Sequence, residues 1–373
     1  MYSGTALPAT AVPATASAAR TYRGPLLDAF THFLPPAYLR QMLGFLGQGD
    51  FAKRIRAIPM LHDVDARVEL VRQWPNYQQV LSLSQPSPDN LCGPDESPAL
   101  ARAGNDGLAA LVATYPQQFP AFVASLPMNN MPAALQEFDR AVHELGARGV
   151  QIDTNVQGAP LDDPRWFGVF EKAVELDVPI WLHPHRGASP DYPCEQKSRF
   201  EIWQVLGWPY ETSVAMSRLV FSGVLTRLPT LKVITHHLGA MVPFLEGRIG
   251  SLWDQIGSKT VDEDLSYIKD MLGCRPVDCF RRFYGDTAVG GSSSSIRCGL
   301  DFFGDEHVVF ATDCPFDPEG GTGFIRDTIA AIERLALPAD VQQKIFHGNT
   351  AGLLKLDTAR LSMQGDDRPG VPR

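Results

Sequence analysis

The chain has 373 residues, 44% of them hydrophobic and 20% charged, so it can bury a large core and is too apolar for a disordered or fibrous class. A net charge of -9 argues against a general phosphate-backbone binder, because nonspecific nucleic-acid affinity comes from neutralising phosphates with Lys and Arg. Six Cys with no CxxC pair are too sparse for a disulfide scaffold and read as a reducing, cytoplasmic setting, while no apolar stretch approaches the roughly 20 residues of a membrane span.

Residues 1–24 open on an Ala/Thr/Pro-rich stretch with neither a basic start nor a continuous apolar segment, which reads as a tail rather than a secretory signal. Short apolar runs then alternate with segments of helical spacing. A strand at Pro25 to His32 is followed by a long stretch from Gly44 to Gln78 and a strand at Gln79 to Ser84. Next come a helix at Ala99 to Tyr115, a strand at Phe119 to Leu126, a helix at Met131 to Gly146 and a strand at Gly149 to Asp153. A helix at Pro164 to Leu176 leads to the strand Val178 to His183 and a second long stretch, Arg186 to Thr212. The strands Lys232 to His237, Arg282 to Thr287 and Val308 to Asp313 complete the set, with helices at Val242 to Ile256 and Ile325 to Ala336. The count and order predict an α/β fold, a (β/α)₈ TIM barrel over 25–357, with a second tail at 358–373. No GxGxxG or GxxxxGK[ST] motif stands at a strand-helix junction, so no nucleotide cofactor is expected.

Active sites of such barrels lie at the C-terminal ends of the strands. His32, His183, His237 and Asp313 each end a predicted strand, and Asp286 does the same on the seventh. Two imidazoles and a carboxylate suit a borderline divalent metal, with positions left for water or substrate. The two long stretches are expected to cover the site, with Trp203 and Trp208 as substrate contacts, although apolar capping of the barrel would explain them as well. His185 and Arg186 begin the second of these and are further candidates for substrate binding.

The segments Asp28 to Pro36, Trp181 to Pro184, Thr235 to Ala240 with Pro243 to Arg248, and Ala311 to Phe316 resemble the amidohydrolase superfamily (amidohydrolase family 2). They are most similar to the branch typified by aminocarboxymuconate semialdehyde decarboxylase and the hydroxybenzoate decarboxylases, and Phe346 to Ala351 resembles that branch's closing helix start. The resemblance implies that His32 and His183 are metal ligands, that Asp313 is a ligand, a proton donor or both, and that His237 is the catalytic His. His236 would then point to the opposite side of its strand, behind the barrel.

One departure stands out. The family's first strand carries two ligands in an HxH or ExH pattern, and here the pair is Phe30 and His32, with Asp28 expected on the same face but deeper. A metal on His32, His183 and Asp313 alone is the simplest consequence; a changed metal and a metal-free site are the alternatives. Zn is expected ahead of Mn. The implied activity is nonoxidative decarboxylation of a small aromatic or unsaturated carboxylic acid, with hydrolysis or hydration by activated water as the alternative and a homodimer as the oligomer the branch suggests.

Overall fold

The computed structural model describes residues 22–357, so most of the tail expected at 1–24 and all of that at 358–373 lie outside the described residues. The strands are β1 (Leu26–Phe33), β2 (Tyr77–Leu83), β3 (Ala121–Phe122), β4 (Ala124–Ser125), β5 (Val150–Asp153), β6 (Asn155–Val156), β7 (Ala159–Pro160), β8 (Ile180–His183), β9 (Val233–Thr235), β10 (Tyr284–Asp286) and β11 (Val308–Val309). β6 and β7 form a small antiparallel hairpin apart from the rest. The others run parallel in the orders β1-β2-β3 and β4-β5-β8-β9-β10-β11. β3 and β4 are halves of one strand interrupted at Val123, whose N–H donates to Leu81 O. The ring closes where Ala29 N–H donates to Phe310 O at 2.8 Å and Asp313 N–H donates to Phe30 O at 3.3 Å. The described residues therefore form the expected (β/α)₈ barrel.

Side chains separate into two apolar layers. Leu27, Ala29, Val80, Val123, Trp181, Ile234 and Val309 fill the barrel interior. Leu26, Leu81, Leu83, Ile180, Leu182 and Val308 face outward onto the helices. That alternation is the period of two that a strand imposes.

β1 breaks the period. Its register with β2 shifts between Asp28 and Thr31, a bulge that turns two successive side chains, Ala29 and Phe30, into the interior. Asp28 consequently does not share a face with Phe30 and His32 as the simple alternation predicts. It bonds on the other side to Tyr77 Oη at 2.5 Å and Thr312 Oγ1 at 2.5 Å.

The first long stretch is mostly helical, with Asp50–Ala57 and Val64–Arg72 in place of an extended loop. Arg67 on the second of these helices is fully buried, donating to Gln79 Oε1 at 2.7 Å, Met60 O at 3.3 Å and Cys314 O at 3.4 Å. The second long stretch, Arg186 to Thr212, contains the short helix Ile202–Val205 and the start of Gly207–Phe221. Against the reducing setting read from the sparse Cys, Cys274 and Cys279 form a disulfide, because a helical turn at Pro276–Phe280 folds the chain back between them. No described helix is long and apolar enough to cross a membrane.

Replacing Arg67 with Met keeps the aliphatic bulk but leaves Gln79 Oε1 and Cys314 O without this donor. The variant should lose about 2–4 kcal/mol of stability, measurable by denaturant unfolding.

Candidate active site

Five polar side chains converge at the C-terminal ends of the strands: His32 from β1, His183 from β8, His236 just after β9, Asp286 from β10 and Asp313 after β11. His32 Nδ1 lies 3.0 Å from Leu83 O, and His183 Nδ1 lies 2.7 Å from Pro184 O. A carbonyl only accepts, so each Nδ1 carries a proton, and each Nε2 faces the site. Burial, reinforced by the charges of His32 and His236, holds His183 well below its ordinary pKa and therefore neutral.

Asp313 Oδ1 stands 3.1 Å from His32 Nε2 and 3.5 Å from His236 Nε2. Burial raises the Asp313 pKa, but His236 and His32 outweigh it and hold the carboxyl well below the usual range. Its backbone sits at φ 62, in the left-handed region, which aims the side chain back over the barrel mouth. His32 Nε2 and Asp313 Oδ1 are both buried and face each other. Together with His183 they wall a cavity of about 20 Å³, room for one species the size of water or a metal ion. Two imidazoles and an ionised carboxylate around such a space fit a divalent cation.

The structure corrects the reading of the His pair. β9 ends at Thr235, so strand alternation no longer governs the two residues after it. His236 is 2% exposed and stacks on His183, with ring centroids 5.4 Å apart, rather than pointing behind the barrel. Its Nδ1 bonds Asp286 Oδ2 at 2.6 Å. Burial opposes its charge, but Asp286 and Asp313 raise its pKa to about 10, so it is an imidazolium at neutral pH. His237 enters a left-handed turn through Ala240, lines the outer cavity and has a buried Nδ1 with no partner. Burial, with the His236 charge added, lowers its pKa to about 3.

Phe30 lies among the imidazoles, its centroid 4.8 Å from His32, 5.9 Å from His183 and 4.8 Å from His236. It is an apolar floor where a second ligand of the first strand would stand.

A larger cavity of about 690 Å³ opens outward from Asp313 and His237, with Trp208 and Phe316 lining both spaces. Arg54, from the helix Asp50–Ala57, reaches into both, its guanidinium 4.7 Å from the Phe316 ring centroid. The sequence reading missed it; the signal was a cationic residue on an amphipathic helix within the first long stretch. Asp286 was found as a strand end, and its pairing with His236 follows from the β9–β10 register, in which Thr235 opposes Gly285.

Three expected substrate contacts lie elsewhere. Pro184 ends the strand, and the chain beyond it turns His185 Nδ1 to within 3.8 Å of Asp153 Oδ2. Arg186 Nε donates to Ser189 Oγ at 3.2 Å, at the surface. Trp203 packs behind Trp208, with centroids 5.7 Å apart, and supports the site wall without lining either cavity.

Beside the site, Asp153 accepts from Gln85 Nε2 at 2.5 Å, Ser87 Oγ at 2.7 Å and Asn90 Nδ2 at 2.9 Å. Asp89 is equally buried, but its Oδ2 has no partner. Burial, then the neighbouring Asp153, raises the Asp89 carboxyl from 3.8 to about 7.

The amidohydrolase family model matches residues 31–356. The 2-amino-3-carboxymuconate-6-semialdehyde decarboxylase of Dictyostelium discoideum is 28% identical over 78% of this chain and 81% of its own length. The decarboxylase orsB of Emericella nidulans is 30% identical over 89% of this chain and 97% of its own. Among solved structures, a dihydroxybenzoic acid decarboxylase from Polaromonas sp. JS666, with bound manganese and the inhibitor 2-nitroresorcinol, superposes with a TM-score of 0.69 at 25% identity. That superposition covers 89% of this chain and 97% of the other.

A carboxyl whose folded pKa lies above its unfolded value binds more protons when folded, so stability falls as pH rises from about 4 through about 7. The thermal midpoint should be lower at pH 8 than at pH 5. Asp89→Asn should reduce that difference by at least about 2 °C, read by scanning calorimetry at both pH values.

Proposed function

The chain belongs to the amidohydrolase family, and from that premise we propose that it is a metal-dependent nonoxidative decarboxylase of a small aromatic carboxylic acid. The observation that carries the reading is the convergence of His32, His183 and Asp313 on one small cavity, with His236, paired to Asp286, beside it. The decarboxylase relatives, aligned along most of the chain, favour it over hydrolysis or hydration.

His32 Nε2, His183 Nε2 and the Asp313 carboxylate would hold the cation, which would supply Lewis-acid polarisation of the substrate's carboxylate and a neighbouring hydroxyl. We take Mn rather than the Zn expected from sequence, supported by the manganese of the Polaromonas structure. A metal-free site is set aside, since the manganese of the Polaromonas structure supports an occupied one.

His236, rather than His237, carries the proton. Its Nε2–H faces Asp313 Oδ1 at 3.5 Å, so a proton can pass from His236 through the Asp313 carboxylate to the ring carbon that loses CO₂. Asp286 keeps the opposite nitrogen paired throughout. Arg54 binds the substrate's anionic edge, and Trp208, Phe316 and Phe30 exclude water from the carbon being protonated. His237 contacts the bound ring as a neutral imidazole.

A homodimer is supported by exposed Leu206 and Tyr210. A cytoplasmic location is supported by the four free thiols and opposed by the Cys274–Cys279 disulfide.

The test is CO₂ release from a panel of hydroxy- and amino-substituted aromatic acids with Mn or Zn. Hydrolysis of esters, lactones or amides with no CO₂ from any acid would overturn the reading. His236→Asn should lower kcat by about 10²- to 10⁴-fold. Arg54→Met should raise KM by roughly 10- to 100-fold with a smaller effect on kcat. Phe30→Glu should make Mn harder to strip, measured as retained metal after dialysis against a chelator.

A further inference from the structure

The outer cavity is too large and too apolar for the acids its inner end is built to hold. A dihydroxybenzoate has about eleven heavy atoms, whereas cavities of roughly 300–1,000 Å³ enclose drug-sized ligands. This cavity is about 690 Å³. Arg54 and Asp313 also line the small cavity and mark the inner end; Val205, Met241, Phe244, Val289 and Phe324 line the outer cavity with apolar surface, and Gln204, Ser294 and Ser295 add neutral polar groups.

These apolar residues come from four separate parts of the barrel. Val205 ends the short helix Ile202–Val205 and Val289 follows β10, while Met241 and Phe244 follow the His236–His237 turn. Phe324 lies in the first turn of Thr322–Arg334. Phe244 is 82% exposed and Met241 is 40% exposed, although both edge a concave surface. Leaving such side chains in water forfeits the burial that would favour them, unless a ligand covers them.

We propose that the substrate is an aromatic acid bearing an apolar substituent of about four or more carbons, which lies along this wall while the acid group occupies the inner end. The head-group assignment rests on the decarboxylase reading; the tail assignment rests on the shape and chemistry of the outer wall. Each methylene buried there strengthens binding by about three- to fourfold. A chain of several carbons therefore dominates selectivity over an unsubstituted ring.

Isothermal titration calorimetry on the Mn-loaded protein would compare 2-hydroxybenzoates carrying hydrogen, methyl, butyl or hexyl at ring positions 4, 5 and 6, with CO₂ release measured in parallel. At one ring position or more, the hexyl acid is expected to bind at least about tenfold tighter than the unsubstituted one. Met241→Trp and Val289→Trp, which fill the outer wall, should each reduce that ratio at least about fivefold. Equal or weaker binding of every tailed acid by the wild-type protein overturns the proposal, whatever the variants do. Tail-dependent binding without CO₂ release would overturn the decarboxylase reading and leave the tail site standing. CO₂ release with no gain from any tail would do the reverse.

Discussion

Asp28 stitches the two ends of the barrel together. Its carboxylate accepts from Thr312 N–H at 3.1 Å, Thr312 Oγ1 at 2.5 Å, Tyr77 Oη at 2.5 Å and Phe30 N–H at 3.3 Å. Those four donors span β1, β2 and the segment after β11, so one side chain sets the closing seam of the sheet. The carboxyl is completely buried, and burial raises its pKa to about 7 even against the hydrogen bonds that lower it. Everything catalytic near the seam depends on this anchor. It holds Phe30 and His32 beyond the bulge, and it fixes Thr312 immediately before Asp313 takes its left-handed conformation. A left-handed non-glycine residue persists only where its surroundings over-determine it, and this network does so.

Above that seam, neighbouring charges sort three imidazoles by protonation state. Burial disfavours the charged form of His183, His236 and His237 alike. Only His236 has a carboxylate at hydrogen-bond distance on one nitrogen and a second carboxylate facing the other, and it alone of these three has a raised pKa. Its positive charge helps to keep His183 and His237 neutral and Asp313 ionised. The donors of the metal pocket and the proton carrier beside it thus arise from one electrostatic arrangement. Phe30 contributes by omission: it adds no charge and no donor where a further ligand would stand, leaving three protein donors and an apolar floor.

The substrate-facing half of the site is assembled from elements that are distant in sequence. Arg54 comes from a helix inserted after β1, and Trp208 and Phe316 line the neck from the segments after β8 and β11. Beyond them Val205, Met241 and Phe244 line the exposed rim of the outer cavity.

Periodicity and strand-end chemistry were enough to recognise the barrel, its eight staves and the candidates His32, His183 and Asp313, because alternation and helical spacing are local properties that survive unless something interrupts a strand. The errors fall where something does. The bulge in β1 put Asp28 on the opposite side from Phe30 and His32, and the end of β9 at Thr235 let His236 turn inward beside His237. Pro184 carried His185 and Arg186 away from the cavity to Asp153 and Ser189. Arg54 was beyond local reading altogether, since its arrival depends on how a helix some twenty residues after His32 packs across the barrel mouth. The sequence by itself determined which chemical groups are available and which strands carry them. Only the tertiary structure decided which of them face one another, because register, bulges and helix docking are set by contacts between residues far apart in the chain.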